Sequence, residues 1–188
     1  PILETRLRSA AVALGIPPTS AWSCEDLAHE CSRPEARLLR LVCGETCGCT
    51  DPFASPWHKV QTQGCSDLCS LRGELSLATQ KCDDQPKGGA WDEFWSGYPA
   101  AMGSYYGQNA TQTAVWPLAS SIAQQLQQLG CQGLRIPELQ IEPASNVVWC
   151  HGSDTLFRPL AWLCPVSCGC LDQPQPYCPS NCRNGTVG

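Results

Sequence analysis

The sequence has few charged residues and no long hydrophobic run, and both shortages exclude classes of function. Charged residues make up 15% of the 188-residue chain, with 12 Lys plus Arg and a net charge of −5. Nucleic acids and anionic membrane surfaces both require a basic face for their phosphates, so neither partner is expected. No window approaches the roughly 18 uninterrupted apolar residues of a membrane-spanning helix, so we expect no transmembrane segment.

The usual motifs of catalytic and metal-binding sites are also missing. The sequence contains no C-x2-C pair, and its three histidines fall at unrelated places, which disfavours a zinc site and a thioredoxin-like redox site. It also lacks a G-x-S-x-G elbow, a P-loop, a dinucleotide glycine motif and an H-E-x-x-H helix. We therefore expect no enzyme activity, no cofactor and no metal ion.

Cysteine is the residue in excess, with 15 in the chain. This frequency is typical of a disulfide scaffold, and disulfides persist in the secretory pathway, outside the cell or in an organelle lumen. We expect most of the thiols to be paired. The chain begins Pro1-Ile2-Leu3 with no basic and then apolar leader, which indicates a processed mature chain or a fragment.

The cysteines form two runs with matching order and spacing. Both contain C-x3-C-x-C, both close with C-x3-C, and a hydroxyl residue and a glycine flank the fourth cysteine of each. This pattern predicts two diverged copies of one module, with 14 cysteines in disulfides. The first copy contains Cys24, Cys31, Cys43, Cys47, Cys49, Cys65 and Cys69, and the second contains Cys131, Cys150, Cys164, Cys168, Cys170, Cys178 and Cys182.

Seven cysteines per copy leave Cys82 as the extra or free thiol. Because seven is itself odd, either Cys82 completes the first copy or a disulfide links the two copies. Residues two apart rarely reach disulfide geometry, so Cys47 and Cys49 should bond elsewhere. Equivalent cysteines should have equivalent partners in both copies.

The predicted fold is small, disulfide-rich and α-helical, with irregular loops and two tandem cysteine modules. We divide the chain into an N-terminal module with a leading helix (1–82), an aromatic and glycine-rich linker (83–114) and a C-terminal module (115–188). Glycine, proline and capping residues predict helices at 2–14, 23–31, 34–44, 117–129 and 157–164.

The linker is the predicted partner-binding segment. It contains no cysteine between 83 and 114, and aromatic side chains are the usual anchors of protein interfaces. The predicted contacts are made by Trp91, Phe94, Trp95, Tyr98, Tyr105 and Tyr106. Alternatively, Trp91, Phe94 and Trp95 fill the seam between the two modules.

Two N-x-T sequons predict N-glycosylation at Asn109 and Asn184 if the chain passes through the endoplasmic reticulum. If the chain reaches an organelle lumen by another route, both asparagines stay unmodified.

The first copy resembles the ShK-like toxin family over about 26 residues, from Cys24 to Cys49. The resemblance is carried by Ser23-Cys24-Glu25-Asp26-Leu27, by Cys31, and by Cys43-Gly44-Glu45-Thr46-Cys47-Gly48-Cys49. Channel blockade in that family uses an exposed Lys-Tyr pair, and residues 24–49 contain no lysine, so a toxin is not expected. The endings of the second copy, 163–170 and 178–182, are similar to cysteine-rich repeats of uncharacterised dinoflagellate proteins.

These observations predict a non-catalytic structural or interaction protein, an accessory subunit or ectodomain that docks on other protein subunits. The dinoflagellate resemblance adds a lumenal subunit of an algal photosynthetic complex to the candidates, because the thylakoid lumen is oxidising. The rival hypothesis is a secreted carbohydrate-binding or glycan-processing protein that uses the 91–106 segment.

Overall fold

The structure is a computed structural model, and it describes residues 2–17, 23–173 and 175–184. The fold is small, disulfide-rich and helical with irregular loops, as the sequence predicts. Its regular elements are α1 (Ile2–Ala13), α2 (Arg37–Val42), α3 (Asp67–Ser76), α4 (Gly89–Tyr106), α5 (Trp116–Leu129) and a hairpin of β1 (Ile141–Glu142) antiparallel to β2 (Val147–Val148). Short 3-10 helices connect them, among them Ala28–Glu30, Gln61–Gln63, Leu77–Thr79, Gly130–Arg135, Leu160–Trp162 and Ser180–Asn184.

The two helices with strong stop signals form as predicted. Helix α1 ends one residue before the predicted Leu14, and Gly15 follows it at φ 74°. Helix α5 ends at Leu129, and Gly130 follows it at φ 69°. Glycine adopts this left-handed conformation without a Cβ penalty, so it ends a helix cleanly.

Two other predicted helices are shorter than expected, because their backbone groups have other partners. In the 34–44 segment only α2 is helical, since the carbonyls of Arg33 and Pro34 accept hydrogen bonds from the Arg40 guanidinium at 2.8 and 3.1 Å. In the 157–164 segment only Leu160–Trp162 is helical, since Phe157 forms a β-bridge with Trp57.

The predicted helix over 23–31 is also mostly replaced by turns, although its capping box forms. The Ser23 N–H donates to Asp26 Oδ2 at 2.9 Å, and the Asp26 N–H donates to Ser23 Oγ at 3.3 Å. Only Ala28–Glu30 then winds into a 3-10 helix.

The two C-x3-C-x-C loops have the same backbone hydrogen bonds. The fourth cysteine donates to the carbonyl of the third at 2.8 Å in both copies, and the intervening glycines, Gly48 and Gly169, lie at φ 73° and 75°. The fifth cysteine donates to the residue after the third at 2.7 Å in the first copy and 2.9 Å in the second. The duplication seen in the sequence is therefore also present in the local structure.

Seven disulfides form, and the first six cysteines of each copy have the same connectivity. The first bonds to the third, the second to the fourth and the fifth to the sixth. The bonds are Cys24–Cys43, Cys31–Cys47 and Cys49–Cys65 in the first copy, and Cys131–Cys164, Cys150–Cys168 and Cys170–Cys178 in the second. Equivalent partners in the two copies are what the repeat predicts.

The seventh cysteines differ, and this corrects two expectations, that Cys69 is in a disulfide and that Cys82 is the extra or free thiol. Cys82 is bonded to Cys182, so it closes the second copy and links the two modules across 100 residues. The unpaired thiol is Cys69, which is half-buried and accepts a hydrogen bond from the Ser66 hydroxyl at 3.3 Å. The sequence could not separate these cases, because Cys69 and Cys182 both end a C-x3-C pair.

The hydrophobic core has two unequal parts. The smaller one joins α1 to the first copy and consists of aliphatic side chains and three cysteines, Leu7, Ala10, Ala11, Leu14, Leu27, Cys31, Ala36, Leu39, Cys43 and Cys47. The larger one surrounds α4 and extends through the C-terminal module. The 83–114 segment, assigned to a linker from its sequence, therefore supplies the central helix of the main core.

Trp57 is a residue of the first copy that packs within this larger core. Its indole N–H donates to the Phe94 carbonyl at 2.7 Å, and its ring stacks on that of Phe94 with centroids 4.5 Å apart. Gly97 makes room for the indole, because a Cβ at Gly97 would lie 2.6 Å from Trp57 Cδ1. The two modules are thus joined by close packing as well as by a disulfide.

We expect Gly97→Ala to destabilise the protein. Alanine is favoured over glycine inside a helix by about 1 kcal/mol, so helix propensity alone predicts a gain. The added methyl must instead displace the Trp57 indole, and overpacking of this kind costs about 1–3 kcal/mol. Denaturant unfolding should give a net loss, whereas Ser96→Ala on the exposed face of the same helix should change stability by less than about 0.5 kcal/mol. A more stable Gly97→Ala variant would show that the indole does not occupy this position.

Candidate functional site

Most of the predicted partner-binding aromatic residues are buried, which corrects that prediction for four of the six. Trp91, Phe94, Trp95 and Tyr98 are at most 4% exposed. Only Tyr105 and Tyr106, at the end of α4, are on the surface, at 44% and 40% exposed. The alternative reading, in which the tryptophans and Phe94 fill the seam between modules, describes the structure better.

The buried residues are held by ring contacts and by one buried carboxylate. Trp95 packs against Trp149 with centroids 5.0 Å apart, and the Tyr98 hydroxyl donates to Glu142 Oε1 at 2.5 Å. Glu142 also accepts from the backbone N–H groups of Ala144 and Ser145. Burial, followed by the adjacent Glu142, raises the pKa of Tyr98 well above its ordinary value. This network is part of the core, so its buried side chains do not face a partner.

The exposed apolar surface lies instead on α3. Leu68, Leu71 and Leu75 recur at helical spacing and are 73%, 55% and 67% exposed, and we call them the α3 leucine stripe. Gly73 on the opposite side of α3 is buried against the Thr50 carbonyl. The stripe therefore faces solvent, because the opposite face of α3 packs against the backbone at Thr50.

Sequence reasoning missed the stripe, although a signal was present. Leucines spaced by three and four residues indicate one face of a helix, and Ser66-Asp67 is a helix start. The closing C-x3-C pair of the first copy overlaps the start of this helix, and a cysteine pair by itself does not indicate a helix face.

A groove between α1 and α2 adds to the apolar surface of the N-terminal module. It encloses about 490 Å³ and is lined by Thr5, Arg6, Ser9, Leu38, Leu41 and Val42. A second hollow, of about 350 Å³, lies at the start of α4 beside Phe53, Gly88, Trp91 and Trp162. Lys87 borders this second hollow, but its ammonium already donates to the Gln128 carbonyl at 2.9 Å.

Four basic residues lie buried together between the modules, and we call Arg40, His58, Lys59 and Arg158 the buried basic cluster. Burial is the main cause of the lowered pKa values of His58, about 4, and Lys59, about 8. Arg40 lowers both further by repulsion. This cluster is not indicated by the sequence, because Arg158 is remote in sequence from the other three members.

The described part of the chain contains no arrangement typical of a metal site or a membrane span. Among residues 2–17, 23–173 and 175–184, no group of three or more His, Cys, Asp or Glu side chains could hold a metal ion. Within the same residues no helix is both long and apolar enough to cross a bilayer.

The first sequon is accessible. Asn109 is exposed, and its Oδ1 accepts from the Thr111 N–H at 3.0 Å and from the Thr111 hydroxyl at 2.9 Å. For the second sequon, Gly185 and Thr186 lie outside the described residues, and only the backbone of Asn184 is described.

We expect alanine substitutions to separate the buried aromatic residues from the exposed ones. Trp91→Ala and Trp95→Ala should each lower the free energy of unfolding by about 3–5 kcal/mol, because they remove fully packed rings. Tyr105→Ala and Tyr106→Ala should each change it by less than about 0.5 kcal/mol. The measurement is denaturant unfolding of the four variants. Equal effects at all four positions would contradict the assignment of Trp91 and Trp95 to the core.

No family model, curated protein or solved structure matches this chain. Its function is therefore inferred from its own residues and their contacts.

Proposed function

We propose that the protein is a non-catalytic interaction protein, a disulfide-stapled subunit or ectodomain that docks on a larger protein assembly through its N-terminal module. The observation that carries this proposal is the distribution of exposed aliphatic side chains. Among the described residues, eight large aliphatic side chains are more than half exposed, and seven of these eight belong to α1, α2 and α3. They are Ile2, Leu3, Val12, Leu41, Leu68, Leu71 and Leu75, and the eighth is Leu118 in α5.

Unequal cores explain this distribution. The C-terminal module buries its large side chains around α4, whereas the N-terminal module has a small core that relies on cysteines. Disulfides hold such a module folded without a large core, so its leucines remain available to a partner. Exposed apolar patches on a rigid surface are typical of protein interfaces.

The composition around the stripe favours a protein partner over an anionic membrane. Asp67, Arg72 and Glu74 belong to the same helix, so charges of both signs flank the leucines. A helix that lies on a membrane usually has a Lys- and Arg-rich polar face, and this chain has a net charge of −5. Mixed charges at the rim suit a protein surface with complementary charges.

The stripe is too small to form the whole interface. A ten-residue helix is about 15 Å long, while a stable interface buries about 800 Å² on each partner. We therefore include the α1–α2 groove, with Leu38 and Leu41, in the proposed docking surface.

The compartment of this assembly is oxidising, in keeping with seven disulfides. The finer proposal is the lumen of an algal thylakoid, supported by the similarity of the second copy to dinoflagellate cysteine-rich repeats. A secretory route would instead make Asn109 a glycosylation site.

Carbohydrate binding is not proposed as a second function. It required an aromatic platform in the 91–106 segment, and the tryptophans of that segment are buried. The two exposed rings, Tyr105 and Tyr106, lie 5.2 Å apart at 90° to each other, so they form no common plane on which a sugar could stack.

We expect substitution of the stripe to abolish docking without unfolding the protein. The variant is the full chain with Leu68→Ser, Leu71→Ser and Leu75→Ser, which removes apolar groups from an exposed face. Its melting temperature should stay within a few degrees of the wild type. Affinity for the native assembly should fall by roughly a hundredfold, as expected if the three leucines together contribute about 3 kcal/mol.

The matched control is Leu118→Ser with Leu129→Ser on the exposed face of α5. Wild type and control should retain the same stoichiometric partner polypeptide, and the stripe variant should lose it. If the wild type, the control variant and the stripe variant all retained the partner polypeptide, the proposal would be contradicted. A stripe-dependent homodimer in light scattering, or stripe-dependent sedimentation with anionic lipid vesicles, would replace the proposed partner with a second copy or a membrane.

A further inference from the structure

A short segment, residues 82–85, completes the second copy of the module, and we call it the closing segment. Its first residue, Cys82, forms the disulfide with Cys182, the seventh cysteine of that copy. Its last residue, Gln85, donates its backbone N–H at 2.9 Å to the carbonyl of Leu163, the residue before the third cysteine. The closing segment is therefore bound to the second copy at both of its ends.

Between these two contacts, Asp84 binds the C-x3-C-x-C loop of the second copy. Its carboxylate accepts from the backbone N–H groups of Val166 and Ser167 at 2.9 and 3.0 Å, and from the Ser167 hydroxyl at 2.6 Å. Hydrogen bonds to an ionised carboxylate are roughly twice as strong as those between neutral groups. The loop thus presents three convergent donors to one carboxylate.

The first copy has the same loop, but nothing occupies the equivalent groups. The equivalent donors are the N–H groups of Glu45 and Thr46 and the Thr46 hydroxyl, and the Val42 carbonyl is equivalent to that of Leu163. None of these groups has a hydrogen-bond partner in the described part of the chain. The seventh cysteine of this copy, Cys69, is also unpaired. Every group that the closing segment contacts in the second copy therefore has an unused counterpart in the first.

The two loops share their backbone conformation, so the unused donors are arranged like the occupied ones. In both loops the glycine after the fourth cysteine donates to the carbonyl two residues before that cysteine, at 2.9 Å in the first copy and 3.1 Å in the second. This bond adds to those already described for the fourth and fifth cysteines. The hydroxyl is also retained, with Thr46 in the place of Ser167.

The unused groups border one open hollow. It encloses about 450 Å³, and its lining residues include Val42, Gly44, Glu45 and Thr46. The Cys69 thiol lies beside it, because a Cβ at Gly44 would be 3.0 Å from Cys69 Sγ. Glu45 is exposed and Thr46 is half-buried, so the hollow is open to another molecule.

We propose that this hollow binds an aspartate-containing segment of the partner protein, in the way that the second copy binds its closing segment. The aspartate carboxylate accepts from the N–H groups of Glu45 and Thr46 and from the Thr46 hydroxyl. The N–H of the following residue donates to the Val42 carbonyl. This inference rests on the proposed docking function, because Val42 also lines the α1–α2 groove and one partner then covers both.

Neighbouring charges further define the partner segment. Glu25 and Glu45 line the hollow and are exposed, so they repel a run of acidic residues. The closing segment has Lys81 before it and Lys87 shortly after it, which is the charge pattern that suits two glutamates. We therefore expect an aspartate with basic residues close to it in the partner.

The probe is a synthetic peptide with the sequence of residues 80–87 and the substitution Cys82→Ser, which excludes disulfide exchange. Addition of this peptide to the isotope-labelled full chain should give saturable shifts of the Glu45 and Thr46 amide resonances in NMR spectra. The amide resonances of Val166 and Ser167 should not move, because Asp84 of the chain already occupies the second loop.

Two peptide variants with the same net charge separate the carboxylate contact from general charge. The peptide with Asp84→Ala should bind more weakly by roughly tenfold or more, as expected for the loss of hydrogen bonds to a charged group. The peptide with Asp83→Ala should keep its affinity. Equal affinities of the two variants, or no saturable shift at Glu45 and Thr46, would overturn the proposal and assign the unused donors to solvent.

Thr46→Val tests the site in the chain itself, because it keeps the shape of the side chain and removes the hydroxyl donor. It should weaken peptide binding by roughly threefold to tenfold. The matched control is Thr50→Val, at another half-buried threonine outside the hollow, which should bind as the wild type does. If Thr46→Val bound the peptide and the native assembly with unchanged affinity while the stripe variant lost the assembly, this inference would fail and the proposed function would stand. Peptide binding that depends on Thr46, with the assembly retained by the stripe variant, would support the aspartate site and reject the stripe.

Discussion

The arrangement of the chain depends on the disulfides that hold each C-x3-C-x-C loop. In each copy the third, fourth and fifth cysteines bond to three different partners, so a short loop is tied to three separate segments. Such cross-links lower the entropy of the unfolded chain, and the long Cys82–Cys182 loop gains most, about 4.7 kcal/mol in the chain-entropy model. Segments too short or too polar to fold by burial alone are thereby held in place.

The two copies share this disulfide connectivity, but the side chains buried within them differ. At the position three residues before the third cysteine, the first copy has Arg40 and the second has Ala161. Arg40 gathers four carbonyls into a polar hub, whereas Ala161 is packed within the aromatic core around α4. The copy with the polar hub keeps leucines on its surface, and the copy with the aromatic core buries its large side chains. This asymmetry is the physical basis for assigning docking to the N-terminal module.

Local signals in the sequence predict some of this structure, and long-range contacts decide the rest. The ends of α1 and α5 follow from Gly15 and Gly130, because backbone conformation at a glycine is a local property. The sequence leaves the burial of Phe94 and Trp95 as one of two alternatives, because Trp57 and Trp149, the rings that pack against them, are remote in sequence. Helical spacing correctly places Trp91 and Trp95 on one face, but it cannot show what covers that face.

The same limit applies to the candidate sites. The α3 leucine stripe was readable from its spacing, while the contact of Arg158 with Gly48 joins residues that are remote in sequence and carry no motif. The partner of Cys82 was undecidable for a related reason. Two cysteines at equivalent positions, Cys69 and Cys182, compete for it, and only the folded chain brings one of them close.

Two copies of one disulfide module are closed across the chain by Cys82–Cys182. Mass-spectrometric mapping of the non-reduced protein, after alkylation under denaturing conditions, tests this arrangement. The predicted result is the same first-to-third, second-to-fourth and fifth-to-sixth connectivity in both copies, a Cys82–Cys182 peptide, and alkylation of Cys69 alone. Different connectivities in the two copies, or a bond between Cys69 and Cys82 with Cys182 alkylated, would contradict the account.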